Sequence, residues 1–167
     1  MRRLPVYFLL DTSGSMYGEP IHALNNALSG MINTLRQDPQ ALDSLWISII
    51  TFDRDVNEVC PLTELAMFQL PEITCPQSGP THTGKALELL YTKVKSDIRK
   101  STENQKGDWK PLLFLFTDGK PSDIQLYNEI APKVRNLNFG AIVACAAGNL
   151  ADDSKLKVLT DDVVHLD

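Results

Sequence analysis

Asp11, Ser13 and Ser15 follow the apolar run Phe8-Leu9-Leu10 at alternate positions, with Gly14 between the two hydroxyls. One carboxylate and two hydroxyls in a single short loop form an oxygen-only donor set. Such a set suits a hard divalent cation such as Mg²⁺, Mn²⁺ or Ca²⁺. The same residues also fit a buried strand followed by an ordinary turn, because Asp and Ser are common turn residues. Gly14 permits a tight turn where a side chain would obstruct one. Farther along, Asp118 ends the most apolar run in the chain, Leu112-Leu113-Phe114-Leu115-Phe116, and the stretch Ser78 to Lys85 offers further hydroxyls ahead of a helix. Aspartates at the ends of two central strands would stand where open α/β sheets bind their ligands.

The elements that must position these residues follow from periodicity. Val6 to Asp11 reads as a strand buried on both faces. Pro20 suits a first helical turn, and Ile21, Leu24, Leu28, Met31, Ile32 and Leu35 then recur at helical spacing until Asp38-Pro39 stops the pattern. Leu45 to Phe52 is rich in β-branched and aromatic residues and predicts a second strand. Val56 to Leu62 returns as an antiparallel edge strand, a position that Pro61 and the nearby charges suit. Thr63 to Pro80 predicts a short helical turn and a surface loop.

Thr83 to Lys100 carries Ala86, Leu87, Leu90, Tyr91, Val94 and Ile98 on one helical face, and Ser101 to Asp108 reads as a surface loop. Asp123 to Leu137 predicts a helix capped by Ser122 or Asp123, kinked or broken at Pro132. Phe139 to Ala147, ending at Gly148, predicts a buried strand. Ser154 to Leu159 predicts a short helix and Val163 to Leu166 a last strand. Strands alternating with helices imply an α/β sandwich around a mostly parallel sheet.

Composition narrows the function classes. With 167 residues, 43% of them hydrophobic, the chain suits one well-buried core, and residues 1–167 read as a single domain that could lack a final C-terminal helix. A formal net charge of −5 argues against a sequence-independent nucleic-acid binder. No apolar stretch approaches the roughly 20 residues of a membrane helix, and Met1-Arg2-Arg3 with the following Leu4 to Leu10 is too short for a signal peptide. Cys60, Cys75 and Cys145 show no metal-ligand spacing, which favours a reducing, cytoplasmic setting.

Three stretches together resemble the von Willebrand factor A domain. Asp11-Thr12-Ser13-Gly14-Ser15 fits its D-x-S-x-S motif. Gly79-Pro80-Thr81-His82-Thr83-Gly84-Lys85 is similar to its threonine loop, with Pro80 where a second glycine is usual. Thr117-Asp118-Gly119 matches its third motif, and all three come in the family's order. The resemblance implies a Rossmann-like three-layer sandwich: a central six-stranded sheet, mostly parallel, with one antiparallel edge strand and helices on both faces. It implies a metal-ion-dependent adhesion site in which Ser13, Ser15 and Thr81 give hydroxyl ligands, while Asp11 and Asp118 bind directly or through water. Mg²⁺ is the first choice of ion. The implied activity is binding without catalysis, through a Glu or Asp carboxylate that a protein partner adds to the metal. Thr117-Asp118-Gly119-Lys120-Pro121-Ser122-Asp123 further resembles the TerY-like tellurium-resistance branch. That branch implies a bacterial stress-response setting, with other tellurium-resistance proteins as partners, a membrane protein, kinase or phosphatase among them.

Two enzyme readings compete. Gly79 to Lys85 nearly spells the phosphate-binding loop G-x-x-x-x-G-K-[ST] of a Mg²⁺-dependent nucleotide enzyme, but Ala86 stands where the hydroxyl belongs and no buried strand precedes the loop. An aspartyl-phosphate phosphatase wants a second acid two residues after its nucleophile, and Ser13 occupies that position. Neither accounts for Ser13, Ser15 and Thr81 together. His22, His82, Lys85, Lys120, Met16 and Tyr17 border the loops as rim residues, Asp53 reads as a turn, and His165 sits in the last strand.

Overall fold

Eight residues build the centre of the sheet. β1 (Leu4–Asp11) is buried along its length except for the half-buried Leu4. It lies between β2 (Leu45–Phe52) and β4 (Leu112–Thr117), and is parallel to both. The strand order is β3-β2-β1-β4-β5-β6, with β3 (Val56–Glu64) the antiparallel edge and β5 (Ala141–Ala147) and β6 (Asp162–Leu166) completing the parallel part. This computed structural model describes residues 2–75, 79–147 and 153–166.

Because strand side chains alternate between faces, β1 divides the core into two layers. Tyr7 and Leu9 point to one side, against Leu87 and Leu90 of α3 (Thr83–Asp97) and Tyr127 and Val134 of α4 (Ile124–Arg135). Phe8 and Leu10 point to the other, against Leu24, Leu28 and Ile32 of α1 (Glu19–Arg36). Burying each such Leu or Phe stabilises the fold by about 1.5–3 kcal/mol. The architecture is the expected three-layer α/β sandwich with one antiparallel edge.

The differences from expectation have local causes. A further helix, α2 (Pro39–Ser44), starts where the first helical pattern was expected to stop, because the Asp38 side chain accepts a hydrogen bond from the Gln40 N–H and Pro39 suits a first turn. The segment after β3 is no bare surface loop: Leu65, Phe68 and Ile73 are buried in the α1-side core. The Asn25 amide of α1 pins it, donating to the Ile73 carbonyl and accepting from its N–H at 2.9 and 3.1 Å. α4 passes Pro132 without a break and runs on to Arg135. Asn128, whose carbonyl loses its intrahelical donor at Pro132, is exposed, so water can serve it. β5 begins two residues late, since Asn138 adopts a φ of 60°. The predicted helix over 154–159 is a short 3₁₀ turn, Leu156–Val158. Ser78 and Gly148, named in the expectations, lie outside the described residues.

The end of the sheet where the parallel strands begin is locked by an ion pair. Arg3 donates from Nε and a terminal nitrogen to both oxygens of Asp108, at 3.0 and 2.7 Å, and to the Asp97 carbonyl. Asp108 also accepts the Arg99 N–H at 2.8 Å. Loop 101–108 is therefore anchored at its end, although its composition reads as wholly solvated. Burial opposes ionisation of Asp108, but the Arg3 and Arg99 hydrogen bonds outweigh it and hold the carboxyl below the usual carboxylate range. A depressed acid stabilises the fold above its unfolded pKa, and that contribution disappears as pH falls through the lower folded value. Asp108→Asn should therefore cost about 1–2 kcal/mol at neutral pH, with the deficit shrinking below about pH 4 in urea titrations.

Candidate metal site

β1 ends in Asp11, whose side chain is fully buried. Its Oδ1 accepts the Ser13 N–H at 2.8 Å, folding the loop back on itself, and its Oδ2 accepts the Thr117 hydroxyl at 2.6 Å from the end of β4. The carboxylate thus ties two neighbouring strand ends together. Gly14–Met16 continues as a 3₁₀ turn that brings the Ser13 and Ser15 hydroxyls to 3.1 Å of each other. Gly14 itself has no positive φ; among the described residues the left-handed glycines are Gly18 at 90° and Gly119 at 86°. Each follows one of the loops, where the chain must turn sharply.

Thr81 reaches the same end of the sheet by a different route. Its N–H donates to the Ser122 hydroxyl at 2.8 Å and its carbonyl accepts the Ser122 N–H at 2.7 Å. Pro80 therefore removes no donor that Thr81 needs. The Thr81 hydroxyl makes no hydrogen bond to another described residue, so it is left available. Asp118, 6% exposed, accepts the Lys120 N–H at 3.1 Å on one oxygen only. The threonine loop, the β1 loop and the β4 loop are thus joined at the C-terminal end of the sheet, where chain connections leave β1 and β4 toward different faces.

The electrostatics of the cluster are unfavourable as it stands. Burial above all, with a smaller push from the Asp118 charge, raises the Asp11 carboxyl to about 6 against the pull of the Ser13 and Thr117 hydrogen bonds. Two acids and three hydroxyls match the requirements of a hard divalent ion. A bound cation would supply the opposing charge that lets Asp11 ionise despite its burial. The donor set fits a metal.

The surrounding residues divide into packing and rim. Met16 is fully buried and belongs to the core, whereas Tyr17 is 61% exposed beside the loop. His82 Nδ1 lies 2.7 Å from the Arg54 carbonyl, and Asp53 accepts the Asp55 N–H at 2.9 Å in a turn. The Cys75 thiol donates to the Ser13 carbonyl at 2.9 Å, which holds the loop from outside. His22, Lys85 and Lys120 are exposed, and His165 Nε2 lies 3.1 Å from Asp153.

Two residues take a part that their sequence positions conceal. Ser122 seats Thr81, and Asp123 caps α3 rather than its own helix: its two oxygens accept the Gly84 and Lys85 N–H groups at 3.0 and 2.9 Å. Those are the amides that a phosphate would need in the competing nucleotide reading. A carboxylate already fills the cradle, and the neighbouring Ala86 is wholly buried.

Residues 6–164 match the family profile described as the von Willebrand factor type A domain. A comparison with curated protein sequences finds no significant match. Among solved structures, the chain is similar to the conserved hypothetical protein BatB from Bacteroides thetaiotaomicron, with 15% identity and a TM-score of 0.66 over 98% of this chain and 90% of that one. It is also similar to the pilus adhesin SpaC from Lactobacillus rhamnosus GG, at 13% identity and a TM-score of 0.74, covering all of this chain and 28% of that one. The ArnB paralog VWA2 from Sulfolobus acidocaldarius matches at 20% identity and a TM-score of 0.62, over 99% of this chain and 42% of its own length. At these identities the likeness is one of fold.

Proposed function

Because this chain belongs to the von Willebrand factor type A domain family, we propose that it is a binding module, not an enzyme, and that it takes its protein partner through a divalent cation. Mg²⁺ is the first choice, with Mn²⁺ or Ca²⁺ as alternatives. Ser13, Ser15 and Thr81 would hold it through hydroxyls, and Asp11 and Asp118 directly or through water. One observation carries the reading: a fully buried Asp11 carboxylate, oriented on both oxygens, stands beside two hydroxyls 3.1 Å apart. The ion would act as a Lewis acid that is only partly neutralised, since hydroxyl ligands bring no charge. It would then favour one more anionic oxygen. The partner class is a protein presenting a Glu or Asp carboxylate.

The wider setting we propose, from the resemblance of residues 117–123, is a bacterial tellurium-resistance or stress-response system. Other proteins of that system, a membrane protein, kinase or phosphatase among them, are the candidate partners, and the cytoplasm is the proposed location. No helix among the described residues is long and apolar enough to cross a membrane.

Thermal unfolding in EDTA and in Mg²⁺ tests the ion. At about ten times its dissociation constant, Mg²⁺ should stabilise the protein by about 1.4 kcal/mol, a shift of about 4 °C. Asp118→Ala should abolish the shift. Equal melting temperatures in both conditions would count against an occupied site. Pull-downs with wild type and Ser13→Ala/Ser15→Ala, each in Mg²⁺ and in EDTA, test the bridge: a partner retained in every condition would be bound by another face.

A further inference from the structure

The end of the sheet opposite the candidate metal site has its own surface chemistry. Loop 99–110 carries Arg99, Lys100, Lys106 and Lys110 against only Glu103 and Asp108. Asp108 is taken up by Arg3, and Asp97, the neighbouring acid at the end of α3, accepts the Tyr7 hydroxyl. Among the described residues, none of those four cations forms an ion pair, in a chain whose formal net charge is −5. This end is basic on an acidic protein.

A groove of about 490 Å³ opens there, floored by Ile98, Pro111 and Leu137 and edged by Arg99, Lys100 and Lys110. Trp109 forms one wall and is 50% exposed, unusual for a residue of its size. The Arg2 guanidinium covers one face of the indole, 3.7 Å from the ring centroid, and its Nε donates to the Gly107 carbonyl. The tryptophan is held in a fixed pose, with its other side toward the groove.

We propose that this groove docks an acidic peptide segment of a partner protein, one that sets an apolar side chain against Trp109 and Ile98 and its carboxylates against Lys100 and Lys110. Charge complementarity selects an acidic partner. The apolar stretch of Ile98, Pro111 and Leu137 favours a peptide over a nucleic acid, because it suits an apolar side chain, while Ser101 and Asn138 of the same lining can serve the peptide's backbone. The Arg2 stack points the same way, since it removes one of the two indole faces that bases would use. Trp and Arg anchors of this kind commonly dominate binding energy. The surface is independent of the metal site, so one domain could hold two partners at opposite ends.

The test is a selection from a phage-displayed library of random dodecapeptides on the full chain in EDTA, which silences metal-bridged binding. Peptides retained by wild type and lost on Lys100→Glu/Lys110→Glu should be enriched in Asp and Glu around Leu, Phe or Trp. Resynthesised peptides should bind Trp109→Ala about tenfold more weakly, and wild type equally well with Mg²⁺ or EDTA. Both variants alter exposed side chains, and circular dichroism confirms that they fold. A selection that enriches nothing over the charge-reversed variant overturns the proposal. So does tighter binding of single-stranded oligonucleotides than of the peptides, lost in the same variants. Either failure leaves the Mg²⁺ melting shift untouched and so is separable from failure of the metal site.

Discussion

Asp11→Asn raises the stability of the metal-free protein at neutral pH by about 2 kcal/mol and removes its response to Mg²⁺. The amide keeps the size of the carboxylate, and its oxygen can still accept the Ser13 N–H. What it loses is the charge. The folded Asp11 carboxyl titrates near 6, above its ordinary value of 3.8. An acid whose folded pKa is raised favours the fold below its unfolded pKa, and that advantage is lost as pH rises through the folded value. Above about pH 6, ionised Asp11 therefore costs roughly 3 kcal/mol, from which about 1 kcal/mol is subtracted for the weakened Thr117 bond. Urea unfolding in EDTA should show the variant ahead at about pH 7.5 and level with wild type near pH 4. Wild type equal to the variant at the higher pH would remove the electrostatic account of this site. Asp11 itself is fully buried, and the site reaches the surface at Ser15, which is exposed. Asp118→Ala is the cleaner metal-site probe, because Asp118 receives one backbone bond where Asp11 holds two strand ends together.

Gly84→Ala should destabilise the fold by about 3–4 kcal/mol. A Cβ at residue 84 would stand 2.7 Å from the Tyr127 backbone nitrogen and 2.9 Å from an Asp123 carboxylate oxygen. Backbone cannot step aside as a flexible side chain can, so α3 and α4 would have to part. Overpacking of this kind costs about 1–3 kcal/mol, and displacing Asp123 releases two helix N–H groups, each worth about 1 kcal/mol. The same movement shifts Ser122 and with it Thr81. The Mg²⁺ shift in melting temperature should therefore weaken even though residue 84 is no ligand. A variant within about 0.5 kcal/mol of wild type would mean that the two helices approach less closely than described.

What could be read from the chain followed the range of the interactions. β2 was legible to the residue because Leu45 to Phe52 is a continuous β-branched and aromatic run, as a strand buried on both faces requires. The family was legible because its three motifs are short and local. Of the two cap residues expected for α4, Ser122 or Asp123, Asp123 stands at the N-cap position, but its side chain caps α3 instead, and local pattern carries no sign that α3 lies beside it with two amides vacant. Pro132 predicts a kink or a break, and the break does not occur: the carbonyl that loses its donor belongs to an exposed residue that water can serve. The anchoring of Asp108 in a polar loop was equally hidden, because its partner, Arg3, is 105 residues away. The role of Thr117 had a signal, a hydroxyl directly before Asp118 at a strand end, but only the pairing of β4 with β1 gives that hydroxyl an acceptor.

The position of β1 at the middle of the sheet also sets a timetable. Its pairing on one side waits for Leu45 and on the other for Leu112, and the Asp11–Thr117 bond spans 106 residues. At a synthesis rate of roughly 5–20 residues per second, this strongly apolar segment of the nascent chain spends several seconds or more without its lasting neighbours. Folding of such a non-local centre is slow for the size of the domain, and this interval is when chaperones would be needed. It also makes the candidate metal site a proofreader of completed folding. No fragment shorter than about the first 118 residues could present it, so recognition of a partner through the ion would be restricted to chains whose centre has closed.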